Sequence, residues 1–572
     1  MRLILKYLQR HIGIFLISTL FLTMEALADL LQPTFLSYIV DEGVEHADIR
    51  RILFYGAVMF GIAAAGAFSA VMRNHFSSRT SQTIGKEIRK DMYHNVQRLS
   101  LENIDRLQPA SIITRITNDV TQVQEFINSL MRMMVKAPIT CIGAILLIII
   151  QTPRQAPMIG MILVIVSALI FYNMKIGYPK FGIVQKKLDR LNGVTREFLS
   201  SIRVVKAFRA EEKESIKFNE ASFCLAQANT AALRVMAFFA PLINLTINLG
   251  IVILLWISKS QDSAQIGRLM ASVNYMTQVL FAVTMIANII NTAVRAMASS
   301  ERIQEVLDEI PAQTVPEKPL RPQIRGEIVF DHVSFTYAGA GKASLRDISF
   351  CIPAGKTVGI IGPTGSGKTT LVNLVPRFYD AAQGSVLIDG CDVTQIDEKL
   401  LRTAIAVVPQ KALLFSGKIS DNLRWGRQNA SDEEIIAAAK TACADSFIRQ
   451  TEHGYDTWLG QGGVNLSGGQ KQRLCLARGL VRSPRILILD DCTSALDAQT
   501  ESAVLSGLRE TAGDLTVLLI SQRISTVMHA DYILCLDNGT VQGFGTHEEL
   551  MSGSKTYHEI YVSQIGDEAN GK

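Results

Sequence analysis

Six apolar stretches dominate the chain before about residue 300, centred near residues 12–39, 52–72, 131–151, 156–174, 235–258 and 266–294. Each approaches the roughly 20 residues that a hydrocarbon layer about 30 Å thick requires. A helix apolar over such a length finds its natural solvent in lipid, so the first half of the chain reads as membrane-embedded. Short loops join the first span to the second, the third to the fourth and the fifth to the sixth. Long polar stretches, Arg73–Arg132 and Lys175–Arg234, follow the second and fourth spans. Both keep apolar residues at helical spacing, so the spans are expected to run on as helices beyond the membrane.

Charge orients the spans. Arg2, Lys6 and Arg10 precede the first, whereas Asp41, Glu42, Glu45 and Asp48 follow it, which places the N-terminus inside. The long stretches carry Arg79, Lys86, Arg89, Lys90 and Arg98 among others and belong to the same side. The basic segment Met1–Arg10 precedes an apolar run with no small-residue cleavage site before Glu25 and Asp29, so a retained helix is expected rather than a signal peptide. A net charge of +5, spread along the chain, gives no footprint for nucleic acid. The eight cysteines lack paired metal-ligand spacing, and most lie in the polar half, which fits a reduced compartment.

The composition changes after residue 308. Pro311, Pro316, Pro319 and Pro322 mark residues 309–325 as a linker. Beyond it, the β-branched runs Thr357–Ile361, Ala404–Val408, Ile486–Leu489 and Val517–Ile520 alternate with helical patterns, as in an α/β domain. The expected fold is therefore an α-helical membrane domain over residues 1–308, with six long helices extending into the cytoplasm, and an α/β domain over residues 326–572.

The second domain carries a phosphate-binding motif. Gly362, Pro363, Thr364, Gly365, Ser366, Gly367, Lys368 and Thr369 follow the strand Thr357–Ile361 and open a helix through Thr370. Glycines let backbone amides curl around a β-phosphate, Lys368 neutralises β/γ oxygens, and the Thr369 hydroxyl is suited to Mg²⁺. Farther along, the apolar strand Ile486–Leu489 ends in Asp490, a carboxylate placed to hold the metal's water shell. ATP and Mg²⁺ are the ligands this arrangement predicts.

Between these motifs lie Leu466, Ser467, Gly468, Gly469 and Gln470, and here the chain resembles the ATP-binding-cassette family over about residues 326–560. The resemblance implies that this signature faces the γ-phosphate held by an opposite cassette, two nucleotides being sandwiched between two cassettes. It further implies that Tyr337 stacks on adenine, that Gln410 senses the metal and the membrane domain, and that Asp497 belongs to the loop crossing the dimer. The membrane half is similar to exporters with six spans per half. The stretch from Gln108 to Asp119 resembles the segment around a first coupling helix, and that from Glu197 to Phe208 the approach to a second.

Two positions depart from the family pattern. Active cassettes follow the strand-ending Asp with a Glu that positions the attacking water, and this chain has Asp491; the family's γ-phosphate-contacting His is replaced by Gln522. Asp is shorter by one methylene, a retraction of about 1 Å, and such displacements can cost roughly 100-fold in rate. Gln donates a hydrogen bond without charge, so it stabilises a transition state less well. The resemblance then implies a nucleotide site that binds but hydrolyses poorly. A heterodimer follows, with a homologous half-transporter supplying the competent Glu and His in a pocket completed by this chain's signature. A homodimeric exporter, an importer of chelated metals and a nucleotide-binding regulatory subunit are the alternatives.

For the translocation path, Glu25 and Asp29 share one face of the first span and need either an aqueous cavity or a basic partner. Asn244 and Asn248 on the fifth span and Asn288 and Asn291 on the sixth form further polar faces, suited to interhelical bonding or to cavity lining. The expected surroundings are membrane lipid and an amphipathic substrate, in a plasma membrane with the nucleotide domain cytoplasmic.

Overall fold

A computed structural model of the chain describes residues 2–153, 156–258, 266–314, 316–511 and 514–566. Within the helices a few side chains, those of Asn288 and Asn291 among them, lie outside the described residues. The chain divides into two compact units, Met1–Asn95 with Ala110–Asp308, and Val96–Pro109 with Glu309–Lys572.

Six helices among the described residues of the first unit are long and apolar enough to cross a membrane: Ile12–Val44, Ile49–Arg98, Pro109–Gln151, Ala156–Ser200, Glu211–Ile253 and Ile266–Ile286. The second is 50 residues long, about 75 Å at 1.5 Å per residue, so it extends well past any hydrocarbon layer. One-turn π-helical widenings interrupt the regular path at Ile39–Val44, Arg115–Asp119 and Leu130–Met134. Leu30, Ala144, Ile148, Ile159, Tyr275 and Val279 build a buried cluster between the first, third, fourth and sixth spans. Close approach there depends on Gly143, where a Cβ would stand 2.5 Å from Leu30 Cδ1. Small residues at helix contacts are the usual route to tight packing in lipid, where apolar burial gives no net drive.

The second unit is built on a six-stranded sheet ordered Thr540–Gly545, Tyr532–Asp537, Thr357–Ile361, Thr516–Ile520, Ile486–Asp490 and Ile405–Val408, parallel except for its first pair. The inner strands are continuous apolar runs because both faces are covered. Ala404, expected to begin a strand, instead ends the helix Glu398–Ala404. A four-stranded antiparallel sheet, Leu345–Ile352, Ile328–Phe335, Gln383–Ile388 and Cys391–Asp392, packs through Ile328, Phe330 and Ile352 against Ile360 and Leu518 of the central sheet. Between Asp308 and Ile328 the described residues form no helix or strand. This proline-rich segment is fastened by a Leu320–Gln395 backbone bond of 2.7 Å and by Arg377, which donates to the Thr314 carbonyl at 2.9 Å.

The short helix Leu101–Leu107 groups with the second unit rather than with the helices flanking it in sequence. Its Asp105 accepts a 2.6 Å hydrogen bond from Tyr379, and Asn103 bonds the carboxylate of Glu309.

Candidate functional site

The phosphate loop forms between the strand Thr357–Ile361 and the helix Lys368–Leu374. Two glycines are required by the backbone. Gly367 caps the helix with φ of 98°, where side chains are disfavoured, and a Cβ on Gly362 would collide with the Leu536 carbonyl oxygen. Lys368 Nζ donates to the carbonyls of Gly362 and Pro363, each at 2.8 Å, and so sits in the bowl of the loop. Burial depresses its pKa against the opposing pull of Asp491 and Asp490. Thr364, Gly365, Gly367, Lys368, Thr369 and Thr370 line a cleft of about 520 Å³. Gly362, Pro363 and Ser366 shape its floor through the Lys368 contacts.

The far wall is acidic. Asp490 ends its strand and accepts a 3.0 Å hydrogen bond from the Thr369 hydroxyl. Burial, chiefly, and the charge of Asp491 push the Asp490 carboxyl above the usual range. A hydroxyl and a carboxylate so placed fit Mg²⁺, which prefers hard oxygens and takes much of its shell from phosphates and water. Asp491 Oδ2 accepts the side-chain amide of Gln410 at 3.0 Å and that of Gln522 at 3.4 Å. Three residues singled out by sequence thus meet a pair of carboxylates, Thr369 at Asp490 and Gln410 and Gln522 at Asp491, and Gln410, Asp490, Asp491 and Gln522 all line the same cleft.

Tyr337 stands next to the cleft, with its hydroxyl 3.2 Å from Thr370 Oγ1 and its ring edge-on to Phe335 and Tyr379 at 4.8 and 5.3 Å. Sequence reasoning missed Lys342, Ser344, Arg346 and Asn538, which also line the cleft. They arrive through the antiparallel sheet and the turn at Gly539, whose amide bonds the Ser366 carbonyl at 3.1 Å, and no local motif announces them.

The signature residues are not part of this cleft. Ser467 caps the helix Gly468–Val481, accepting from the Gln470 amide at 3.3 Å while Gln470 Oε1 accepts from the Ser467 amide at 2.9 Å. Leu466 packs on the core behind, which leaves Ser467 and Gly468 exposed and Gly469 half-buried at a positive helix end. The amides and dipole of such an end are suited to an anion. Asp497 likewise caps the helix Ala498–Thr511, accepting from the Thr500 amide at 2.9 Å and its hydroxyl at 2.8 Å.

In the membrane unit, Glu25 is buried against two cations, Arg73 at 2.6 Å and Lys136 at 2.6 Å, and Lys136 reaches Asp29 at 2.7 Å. Asn244 and Asn248 are exposed on the fifth span.

A phosphate cradle and its acidic strand, carried on one chain with six membrane-crossing helices, define an ATP-driven membrane transporter. Comparison with known proteins identifies the family. The model described as ABC transporter transmembrane region matches residues 15–283, and that described as ABC transporter matches residues 345–494. The uncharacterized ABC transporter ATP-binding protein YfiB of Bacillus subtilis is 38% identical over 97% of this chain and 97% of its own length. A multidrug efflux ATP-binding/permease protein of Mycobacterium tuberculosis is 33% identical over 93% of this chain but only 44% of its own length. Among solved structures, a bacterial Atm1-family ABC exporter with ATP bound has a TM-score of 0.78 at 27% identity, covering 98% of this chain and 99% of that one. This chain belongs to the ABC transporter family, as an exporter-type half-transporter with fused membrane and ATP-binding domains.

Proposed function

We propose that this chain is the degenerate-site subunit of a heterodimeric exporter, driving amphipathic small molecules, lipids or peptides out across the plasma membrane with its N-terminus and ATP-binding domain in the cytoplasm. The observation that carries the reading is the Asp491 carboxylate with two amides on one oxygen, Gln410 at 3.0 Å and Gln522 at 3.4 Å. Two amides engage one oxygen of this carboxylate, on a side chain one methylene shorter than Glu. Gln522 brings no positive charge to the γ-phosphate. Lys368 and the loop amides grip the nucleotide, and Thr369 and Asp490 with Gln410 would hold Mg²⁺, which neutralises phosphate charge.

The outward-facing Ser467 helix end is matched to a nucleotide on the homologous partner, and the competent Glu and His belong to that partner. Alignment with less than half of the multidrug efflux relative supports a machine that needs a second half. The test is to purify this chain with its partner and measure ATP turnover. Loss of turnover when the partner's catalytic Glu becomes Gln is expected. Full activity of that variant, together with no response to Asp491→Glu plus Gln522→His, contradicts the asymmetric reading.

A further inference from the structure

The backbone that carries Gln522 is held from outside its own loop. Gln564 donates its side-chain amide to the Gln522 carbonyl at 2.8 Å, and its Oε1 accepts from the Ile524 amide at 2.8 Å. One side chain, 40 residues beyond Ile524, thus bonds the peptide groups on both sides of Arg523. The Ile524 amide opens the short helix Ile524–Val527, and Arg523 before it makes no side-chain cap. Gln564 therefore satisfies a donor that the start of a helix otherwise leaves open.

The other tethers of this turn are longer. Ser521 Oγ accepts from the Arg523 amide at 3.0 Å within the turn itself. The Gln522 side chain reaches Asp491 at 3.4 Å, and Arg523 reaches the Ser494 carbonyl at 3.4 Å and Glu501 at 3.6 Å. Hydrogen bonds from nitrogen to oxygen are best formed near about 2.9 Å, so the two from Gln564 hold the turn more firmly than these contacts do.

Gln564 stands on a fixed support. In the helix Lys555–Ile565 it lies seven residues after Tyr557, so it shares a face with Tyr557, Ile560 and Tyr561. Tyr557 is fully buried, its hydroxyl 2.7 Å from His547 Nδ1. Ile560 and Tyr561 pack on a cluster that contains Ile361, Ile524 and Val527. Ile361 directly precedes the phosphate loop and Ile524 closes the turn, so one packed cluster ties this helix, the turn and the phosphate loop together. Gln564 is the polar member of an otherwise apolar stripe, and it sits where that stripe meets the turn.

We propose that Gln564 is a positioning residue for recognition of the nucleotide γ-phosphate: it sets the backbone of Gln522 and hence the reach of the Gln522 side chain into the cleft that Lys368 also lines. Gln564 is not among the residues lining that cleft, so its effect passes through Gln522. The role rests on the placement of Gln522 at the γ-phosphate given above, and it holds whether or not the site cleaves ATP.

The test titrates the full-length chain in nanodiscs with the Mg²⁺ complexes of ADP and of the non-hydrolysable β,γ-imido analogue of ATP. The ratio of the two affinities reads the γ-phosphate contact, and ADP affinity alone reports an intact fold. Gln522→Ala is expected to lower the ratio about tenfold, the loss of one charge-assisted hydrogen bond. Gln564→Ala should lower it at least about threefold while ADP affinity stays within about twofold. The double variant should go no lower than Gln522→Ala alone, because a residue that acts through another adds nothing once the other is gone. Should Gln564→Ala fail to bind ADP, Gln564→Glu takes its place: it keeps an acceptor for Ile524 but turns an oxygen toward the Gln522 carbonyl, and the same fall is expected. An unchanged ratio, an equal loss for both nucleotides, or a fall that adds to that of Gln522→Ala overturns the positioning role. A native ratio in Gln522→Ala refutes the placement of Gln522 itself and the role with it, whereas a fall there and none in Gln564→Ala overturns the role alone.

Discussion

Gln410 donates its side-chain amide to Asp491 Oδ2 at 3.0 Å, joining the residue two beyond the central sheet's edge strand Ile405–Val408 to the residue after Asp490. Gln522 approaches the same oxygen at 3.4 Å. Two side-chain amides thus meet on one carboxylate oxygen in the cleft that Lys368 also lines.

Nucleotide binding should depend on Lys368 more than on any other side chain of the cleft. Lys368→Ala removes a charge-assisted contact worth about 1.5–3 kcal/mol, which is about 10–100-fold in affinity. Titration with a fluorescent ATP analogue checks the loss. Affinity within twofold of the native protein would place the phosphates elsewhere.

Asp490 gives a pH signature. Its carboxyl pKa is raised in the folded protein, mainly by burial and also by Asp491. A raised folded pKa means a contribution to stability that is full below the unfolded value, near 4, and lost as pH rises through the folded value. Asp490→Asn, neutral at every pH, should therefore melt higher than the native protein near neutral pH, and this advantage should shrink as pH is lowered toward about 4. Thermal unfolding in detergent across that range is the measurement, and an advantage that grows on acidification refutes the burial argument.

Ser467 has a local role as a helix cap and, in the proposed assembly, a distant one. Ser467→Ala deletes the cap of the Gly468–Val481 helix at a cost of about 1 kcal/mol and should lower turnover of the assembled transporter about 10–100-fold. ATP binding at the Lys368 cleft of the same chain should be untouched, because Ser467 is not among the residues lining it. Equal loss of both would tie the signature to its own chain's nucleotide.

In the membrane unit Arg73→Met strips one cation from buried Glu25. Breaking such a pair costs about 3–5 kcal/mol, softened here because Lys136 remains. Arg73→Met with Glu25→Gln should recover most of the loss, since Lys136 and Asp29 stay paired. Melting temperatures of the single and double variants decide whether the cluster is held by this pairing.

Much of this was legible in the sequence because it is local. Each span is long enough to declare itself, and Thr357–Ile361 is a strand buried from Val358 onward, directly before its phosphate loop. The antiparallel sheet was not legible, because Ile328–Phe335 acquires its identity from partners distant in sequence, Leu345–Ile352 and Gln383–Ile388. Glu25 and Asp29 could be seen to need partners, but the sequence does not say which. Arg73 reads as the start of a cytoplasmic stretch, and only the register of the first three spans brings it and Lys136 to the carboxylates. Asp105 is similarly silent until the short helix Leu101–Leu107 sets it against Tyr379. The outward direction of the signature is visible in sequence only by family resemblance, whereas the capping bonds of Ser467 and Gln470 give it a physical basis.

The most direct test of a site that binds but barely cleaves is ATP turnover by this chain assembled only with copies of itself in nanodiscs, native against Asp491→Glu with Gln522→His. Slow native turnover with saturable nucleotide binding, and a rise of at least about tenfold in the double variant, is the predicted result. Brisk native turnover that the two substitutions leave unchanged would contradict it.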